Sequence, residues 1–182
     1  MKKTIRNILV LAILVISTFT ATVPSFAATK KTTYKDCEYT IHITNTKTVK
    51  VTGHFDTEMG TQLVTLLNKY RKANGLNTLK VKTSLYKAAL IRAYEVSYKF
   101  DHYRPSGKSC FTASSAMYAE NISSGYKTAS KIMSGWKASA GHNANMLRSN
   151  VNYIGIAVFC RRITTSSGKY TYITYAVQCF GK

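Results

Sequence analysis

His102, Glu120 and His142 are the side chains of this sequence best suited to acid–base or metal chemistry. Only four histidines and seven acidic residues occur among 182, so a histidine or a carboxylate in a polar, loop-like setting stands out. The three sit in separate segments: Asp101-His102-Tyr103-Arg104-Pro105, Ala119-Glu120-Asn121-Ile122, and Gly141-His142-Asn143-Ala144-Asn145-Met146-Leu147. Two imidazoles and one carboxylate, if the fold brings them together, can hold zinc or a similar divalent cation with an open position. They can equally shuttle protons, or simply hydrogen-bond and orient loops in a polar cavity. No H-E-x-x-H spacing pre-aligns them on one helix. Ser139, close to His142, lies in no nucleophile elbow, and Ser139-Ala140-Gly141 suits a helix cap.

Four cysteines, Cys37, Cys110, Cys160 and Cys179, show no C-x-x-C spacing. That argues against a zinc knuckle or a redox motif and for disulfides, with three connectivities open. Cys110 beside His102 would also suit a thiol nucleophile, a reading the disulfide one outweighs. Cys160 and Cys179 are not in cross-strand positions on the terminal hairpin, so a bridge from one of them to Cys37 or Cys110 is expected.

The elements that must position these residues follow from periodicity. Tyr39–Ile43 and Val49–Thr52 alternate around a turn at 44–47, which predicts a β-hairpin. Asp56 or Thr57 caps a helix whose Leu63, Leu66, Leu67 and Tyr70 share one face, and Asn74-Gly75 ends it. A second helix begins at Ser84 and carries Leu85, Ala88, Ala89, Ala93 and Val96. A third runs through Ala129, Ile132, Met133 and Trp136, and a short helical stretch follows at 142–147. Strands at 154–159 and 170–180, joined through Thr165-Ser166-Ser167-Gly168, close the pattern. This is one α+β domain, a small antiparallel sheet packed between helices.

Residues 1–27 read as a secretory signal peptide. Lys2, Lys3 and Arg6 precede the apolar run Ile8–Ile16, and Ser25-Phe26-Ala27 offers a cleavage site. The run is too short to span a bilayer, and no later stretch is long and apolar enough. The expectation is an exported protein with no transmembrane segment, divided into 1–27 signal, 28–55 extension with the hairpin, and 56–182 main domain. The part after residue 27 carries 23 basic and 7 acidic residues, a formal charge of +16. Such an excess speaks of partners rather than fold. Outside a cell it favours anionic wall polymers. Thirteen tyrosines and the charge alone do not make a specific nucleic-acid binder, since no recognition helix, single-strand platform or zinc finger is present.

In order and content, these pieces resemble the CAP superfamily, or SCP domain: cysteine-rich secretory proteins, antigen 5 and pathogenesis-related proteins. The likeness is to the secreted Gram-positive branch and covers roughly residues 57–181. It is carried by the helix leading into Gly75-Leu76, the alanine-rich helix before Asp101-His102-Tyr103-Arg104-Pro105, and Ala119-Glu120-Asn121-Ile122. Trp136 with Gly141–Leu147, Ile154-Gly155-Ile156 and Val177–Gly181 complete it. The resemblance implies an α-β-α sandwich with a central cavity presenting two histidines and two glutamates. His102, Glu120 and His142 match three of these, and Ser139 stands where the second glutamate commonly falls. The resemblance also implies lipid or other small-molecule binding as an option for the cavity. A secreted, non-enzymatic binding module is the expected function, with a weak metal site. A metal-dependent hydrolase of peptide or wall material is the alternative, and the missing glutamate counts against it.

Overall fold

The computed structural model describes residues 34–182. The expected signal peptide lies outside these residues. The hairpin forms as β1 (Cys37–His42) and β2 (Thr48–Phe55), antiparallel, with Cys37 opposite Gly53 and His42 opposite Thr48. The Thr44 hydroxyl accepts from the Lys47 amide at 3.0 Å and fixes the turn. The hairpin is no loose appendage: β2 continues into the sheet, with Gly53, His54 and Phe55 opposite Arg161, Cys160 and Phe159.

Helix α1 spans Thr57–Ala73, and the Asp56 carboxylate accepts from the Met59 amide at 2.8 Å, as the cap sequence predicts. It stops at Gly75, whose φ of 71° lets the Leu76 amide return to the Arg71 carbonyl. A two-residue strand β3 (Lys80–Val81) precedes α2 (Thr83–Tyr98). After a loop and a short 3-10 turn at Cys110–Ala113 come β4 (Ala119–Ser124), α3 (Ala129–Ala138) and α4 (Ala140–Met146). The long hairpin of β5 (Tyr153–Thr164) and β6 (Tyr170–Gly181) ends the chain.

The sheet runs β1-β2-β5-β6-β4, antiparallel throughout, with β3 added parallel to the start of β5. One face carries the α1 and α3 core of Leu63, Leu67, Ile132, Trp136, Ile154 and Phe180. The other carries the α2 core of Leu85, Ala89, Val96, Phe159, Val177 and Cys179. Helices on both faces of one sheet make the expected α-β-α sandwich. Alternation along each strand assigns the layers: Ala119 belongs to the first core and Ile122 to the second, as do Ile154 and Ala157 on β5.

Packing fixes points that periodicity leaves open. Arg71, in the last turn of α1, is 1% exposed. Its guanidinium donates to the carbonyls of Asn77, Met146 and Arg148 at 2.7–2.9 Å, tying α1 to the end of α4. Phe100 lies exposed beyond the end of α2. Cys37, Cys110, Cys160 and Cys179 are all free thiols, against the expected disulfides. Cys37 is on β1 and Cys160 on β5, with β2 between them, so their backbones stand roughly 10 Å apart, too far for a bridge. Cys160 faces Thr174 and Cys179 faces Gly155 across the hairpin, which excludes that pair as well.

Candidate functional site

β4 is the edge strand that builds the site. Its Glu120 points toward α2 and is 5% exposed, among the few buried acids of the described residues. Arg92, on α2 and fully buried, donates from Nε to Glu120 Oε1 at 2.8 Å and from Nη2 to Oε2 at 3.3 Å. The same guanidinium reaches Glu95 Oε2 at 2.9 Å and the Asp101 carbonyl at 2.6 Å. Glu95 in turn is gripped by Arg104, through Nε and Nη2 at 2.7–3.1 Å. An alternating chain of charges, Arg104–Glu95–Arg92–Glu120, therefore runs beneath the surface and ends at His102. His102 Nδ1 lies 2.9 Å from Glu120 Oε2. An ionised carboxylate only accepts, so Nδ1 carries the proton and Nε2 faces outward.

His102 and Glu120 thus meet directly, while His142 takes a different place. It lies on α4, which packs against α3 and β4. Asn121, the neighbour of Glu120 on β4, faces this helix. Its Nδ2 donates to the His142 carbonyl at 3.0 Å, and its Oδ1 accepts from Asn145 Nδ2 at 2.9 Å. Glu120 and Asn121 point to opposite faces by strand alternation, and α4 meets the strand through the Asn121 side chain. The third ligand-bearing side chain beside His102 and Glu120 is Cys110, from the 3-10 turn. The ligand atoms of these three lie within 4.8 Å of one another, and His142 is outside that cluster. Ser139 joins α3 to α4 without a side-chain cap bond.

The electrostatics follow from this geometry. Burial alone would raise the Glu120 carboxyl, but the hydrogen bonds from His102 and Arg92 and their charges outweigh it and hold it below the usual range. The Glu120 bond raises the His102 imidazole above its ordinary value, against an opposing effect of burial. His142 moves the other way, lowered first by burial and then by the charge of His102. The Cys110 thiol is pushed up to about 11, by burial first and then by the Glu120 carboxylate. At neutral pH it is a thiol and not a nucleophilic thiolate.

These directions have opposite signs for stability. His102, with its folded value raised above 6.5, contributes stability that is present below about pH 6.5 and disappears as pH rises through the folded value. His142, with its folded value lowered, contributes stability above about pH 6.5 that is lost as pH falls. Urea midpoints of the parent, His102→Gln and His142→Gln across pH should show it. His102→Gln should lower the midpoint on the acid side, and His142→Gln should relieve part of the acid-side loss. Parallel profiles for all three proteins would remove both assignments.

A cleft of about 350 Å³ opens over the site, lined by His102, Tyr103, Cys110, Phe111, Tyr118 and Glu120, with Asn145 and Arg148 at its rim. Tyr103, Phe111 and Tyr118 are exposed aromatics. The Lys182 ammonium lies 4.0 Å from the Tyr118 ring centre, and the Arg148 guanidinium lies 5.4 Å from it. The sequence singled out His102 and Glu120. It gave no sign of Arg92 or Glu95, and named Arg104 only as part of the Asp101–Pro105 segment.

Residues 64–180 match the cysteine-rich secretory protein family, CAP. A relative from Bacillus subtilis (strain 168), the uncharacterized protein YkwD, is 32% identical over 103 residues, 52% of this chain and 40% of that protein's length. Among solved structures, an outer surface protein from Borrelia burgdorferi superposes with a TM-score of 0.53 at 22% identity, covering 71% of this chain and 98% of that one. A cysteine-rich secretory protein from Staphylococcus aureus subsp. aureus Mu50 gives a TM-score of 0.52 at 20% identity, over 69% of this chain and 39% of that one. An extracellular SCP-domain protein from Bacillus anthracis str. Ames gives 0.51 at 15% identity, over 68% and 40%. At these identities the superpositions establish the fold alone.

Proposed function

The chain belongs to the cysteine-rich secretory protein family, and from that premise we propose that it is an exported binding module that engages anionic cell-wall polymers without turning them over. The observation that carries this reading is the state of Glu120. A general base needs a free lone pair aimed at a substrate, and this carboxylate accepts two bonds from Arg92 and one from His102. It is held as a fixed anchor for the cleft floor. A metal-dependent hydrolase would need that same carboxylate as base or ligand, so the geometry favours binding over turnover.

The rim supports the chemical class of the ligand. Tyr118, flanked by Lys182 and Arg148, offers an aromatic surface between two cations. Such a surface suits a polymer alternating flat apolar faces with negative groups. Tyr103 and Phe111, both exposed, widen it. The excess of 16 positive charges after residue 27 adds long-range attraction to the same class of polymer. Export is part of the proposal, supported by the composition of residues 1–27. No helix among the described residues is long and apolar enough to cross a membrane.

Retention on purified cell walls tests the reading. It should fall steeply between about 0.1 M and 1 M salt, because the Debye length shrinks from ~10 Å to ~3 Å. A Tyr118→Ala/Arg148→Ala double variant should elute earlier than the parent at the lower salt. Retention unchanged by salt and by both substitutions would reject the cleft as the contact. Release of soluble fragments from peptidoglycan, or turnover of casein, would reject the non-enzymatic reading.

A further inference from the structure

The outer edge of β5 is covered at two places and open between them. β3 pairs with it at Tyr153 and Ile154, and β2 at Phe159, Cys160 and Arg161. Backbone groups alternate in direction along a strand. The Ile154 carbonyl accepts from the Lys82 amide at 3.1 Å, and the Val158 carbonyl from the Asp56 amide at 3.0 Å, so both face this edge. Ile156, two residues from each, presents its N–H and C=O the same way. There the chain has already turned from β3 into α2, and no backbone group of a described residue pairs with either. Ile156 is 3% exposed, and a buried donor and acceptor left together without partners are rare.

A cavity of about 190 Å³ adjoins them, walled by Phe55, Val64, Val81, Tyr86 and Leu90, with Asp56 also on its lining. Gly60 lines it too, and a Cβ built there would stand 3.7 Å from the Ile156 oxygen. The cavity shares no residue with the cleft over Glu120. We propose that it binds small neutral molecules with a carboxamide at one end and an apolar body at the other.

The lining selects this chemistry. A carboxamide carries an N–H and a C=O on one edge, the complement of the Ile156 C=O and N–H. A carboxylate offers acceptors alone and would leave the Ile156 carbonyl unpaired. It would also enter a cavity that already holds the Asp56 carboxylate, whose Oδ1 is committed to the Tyr34 hydroxyl and the Met59 amide. Size and apolar walls set the other end of the ligand. A cavity of about 150 Å³ admits a benzene ring, so this one has room for a ring with its amide. Val81, 58% exposed, forms an apolar lip at the mouth.

Benzamide titrated into the isotope-labelled full chain is the test, read at the Ile156 amide by NMR. That amide should shift saturably with a midpoint of about 1 mM or lower, the range open to a fragment of this size. Benzoate should bind at least about tenfold more weakly, since one backbone group stays unpaired. Gly60→Ala should remove the shift, because its methyl group takes the space before the Ile156 oxygen and meets nothing else within 4 Å. Its Tm should not fall, since alanine suits a helix better than glycine. Val81→Asp, at an exposed position, should weaken binding about threefold or more by removing the apolar lip. An Ile156 amide unmoved at about 20 mM benzamide would mean that the cavity holds water only, and the proposal would be overturned. Equal binding of benzoate, or parent-like binding by Gly60→Ala or Val81→Asp, would overturn it as well. Wall retention through Tyr118 and Arg148 is a separate measurement, so this site and the binding-module reading stand or fall independently.

Discussion

An Arg92→Met variant should lose about 3–5 kcal/mol of stability at neutral pH, the cost of leaving buried charge without its partner. Arg92 is 0% exposed, and the side chains of Glu120 and Glu95 are 1% and 6% exposed. Methionine fills much of the volume but removes every donor. Glu95 keeps Arg104, whereas Glu120 keeps only the imidazole of His102. Two carboxylates then face one apolar side chain, and the cheapest relief is a proton. In the parent, Glu120 titrates below its ordinary value, so its contribution is present above about pH 4.5 and lost as pH falls through the folded value. In the variant that advantage is gone. The difference between the two proteins should therefore be largest near pH 7 and shrink toward pH 3–4. Urea unfolding at both pH values measures it. Adding Glu120→Leu to Arg92→Met should recover part of the loss, because the uncompensated charge goes with it. A loss below about 1 kcal/mol at neutral pH would mean that water reaches Glu120 and that the pair behaves as a surface salt bridge.

That network was the part of the site least legible in the sequence. The helices were readable because Leu63, Leu66, Leu67 and Tyr70, or Ile132, Met133 and Trp136, repeat with the period of a buried face. The hairpin residues 37–55 alternate, and so they too were readable. β4 was not, because Glu120, Asn121 and Ser123 look like loop residues and yet are all buried. Their partners come from far along the chain: Arg92 for Glu120, and Gln178 and Asn145 for Asn121. Without β4 there is no strand alternation, and without alternation nothing separates the Glu120 side from the Asn121 side. The sequence could therefore name His102, Glu120 and His142 as a group, but it could not see that Cys110, and not His142, clusters with His102 and Glu120. Cys110 entered the sequence reading chiefly as a disulfide partner, since a thiol beside a buried carboxylate has no local signature. β5 was also shorter in the sequence reading, which ended it at Phe159, than in the fold, where it runs to Thr164. Its end, Arg162–Thr164, pairs with Tyr170–Tyr172 of β6 alone, and its alternation is too polar to register.

Gly155→Ala should be at least as damaging as many core truncations, although it adds one methyl group. Gly155 lies on β5, on the face that carries α2. A Cβ built there would stand 2.2 Å from the Leu85 carbonyl carbon, 2.3 Å from its oxygen and 2.3 Å from the Tyr86 nitrogen. These are backbone atoms in the first turns of α2, so no side chain can rotate away. The helix must lift, and with it Leu85, Ala88 and Ala89, which are fully buried against the sheet. Overpacking of this kind costs about 3 kcal/mol or more, a fall in Tm of roughly ten degrees for a domain of this size. Because α2 also carries Arg92 and Glu95, the same movement loosens the grip on Glu120, and the cleft floor should lose order with the core. Gly141→Ala is the matched control. It sits inside α4 with no positive φ, and a methyl group added there would meet nothing within 4 Å, so alanine should stabilise the helix by up to about 1 kcal/mol. Thermal unfolding of the two variants side by side decides the point. Equal Tm values would mean that α2 does not rest on β5 at Gly155, and the route from helix packing to the Arg92–Glu120 anchor would fail with it.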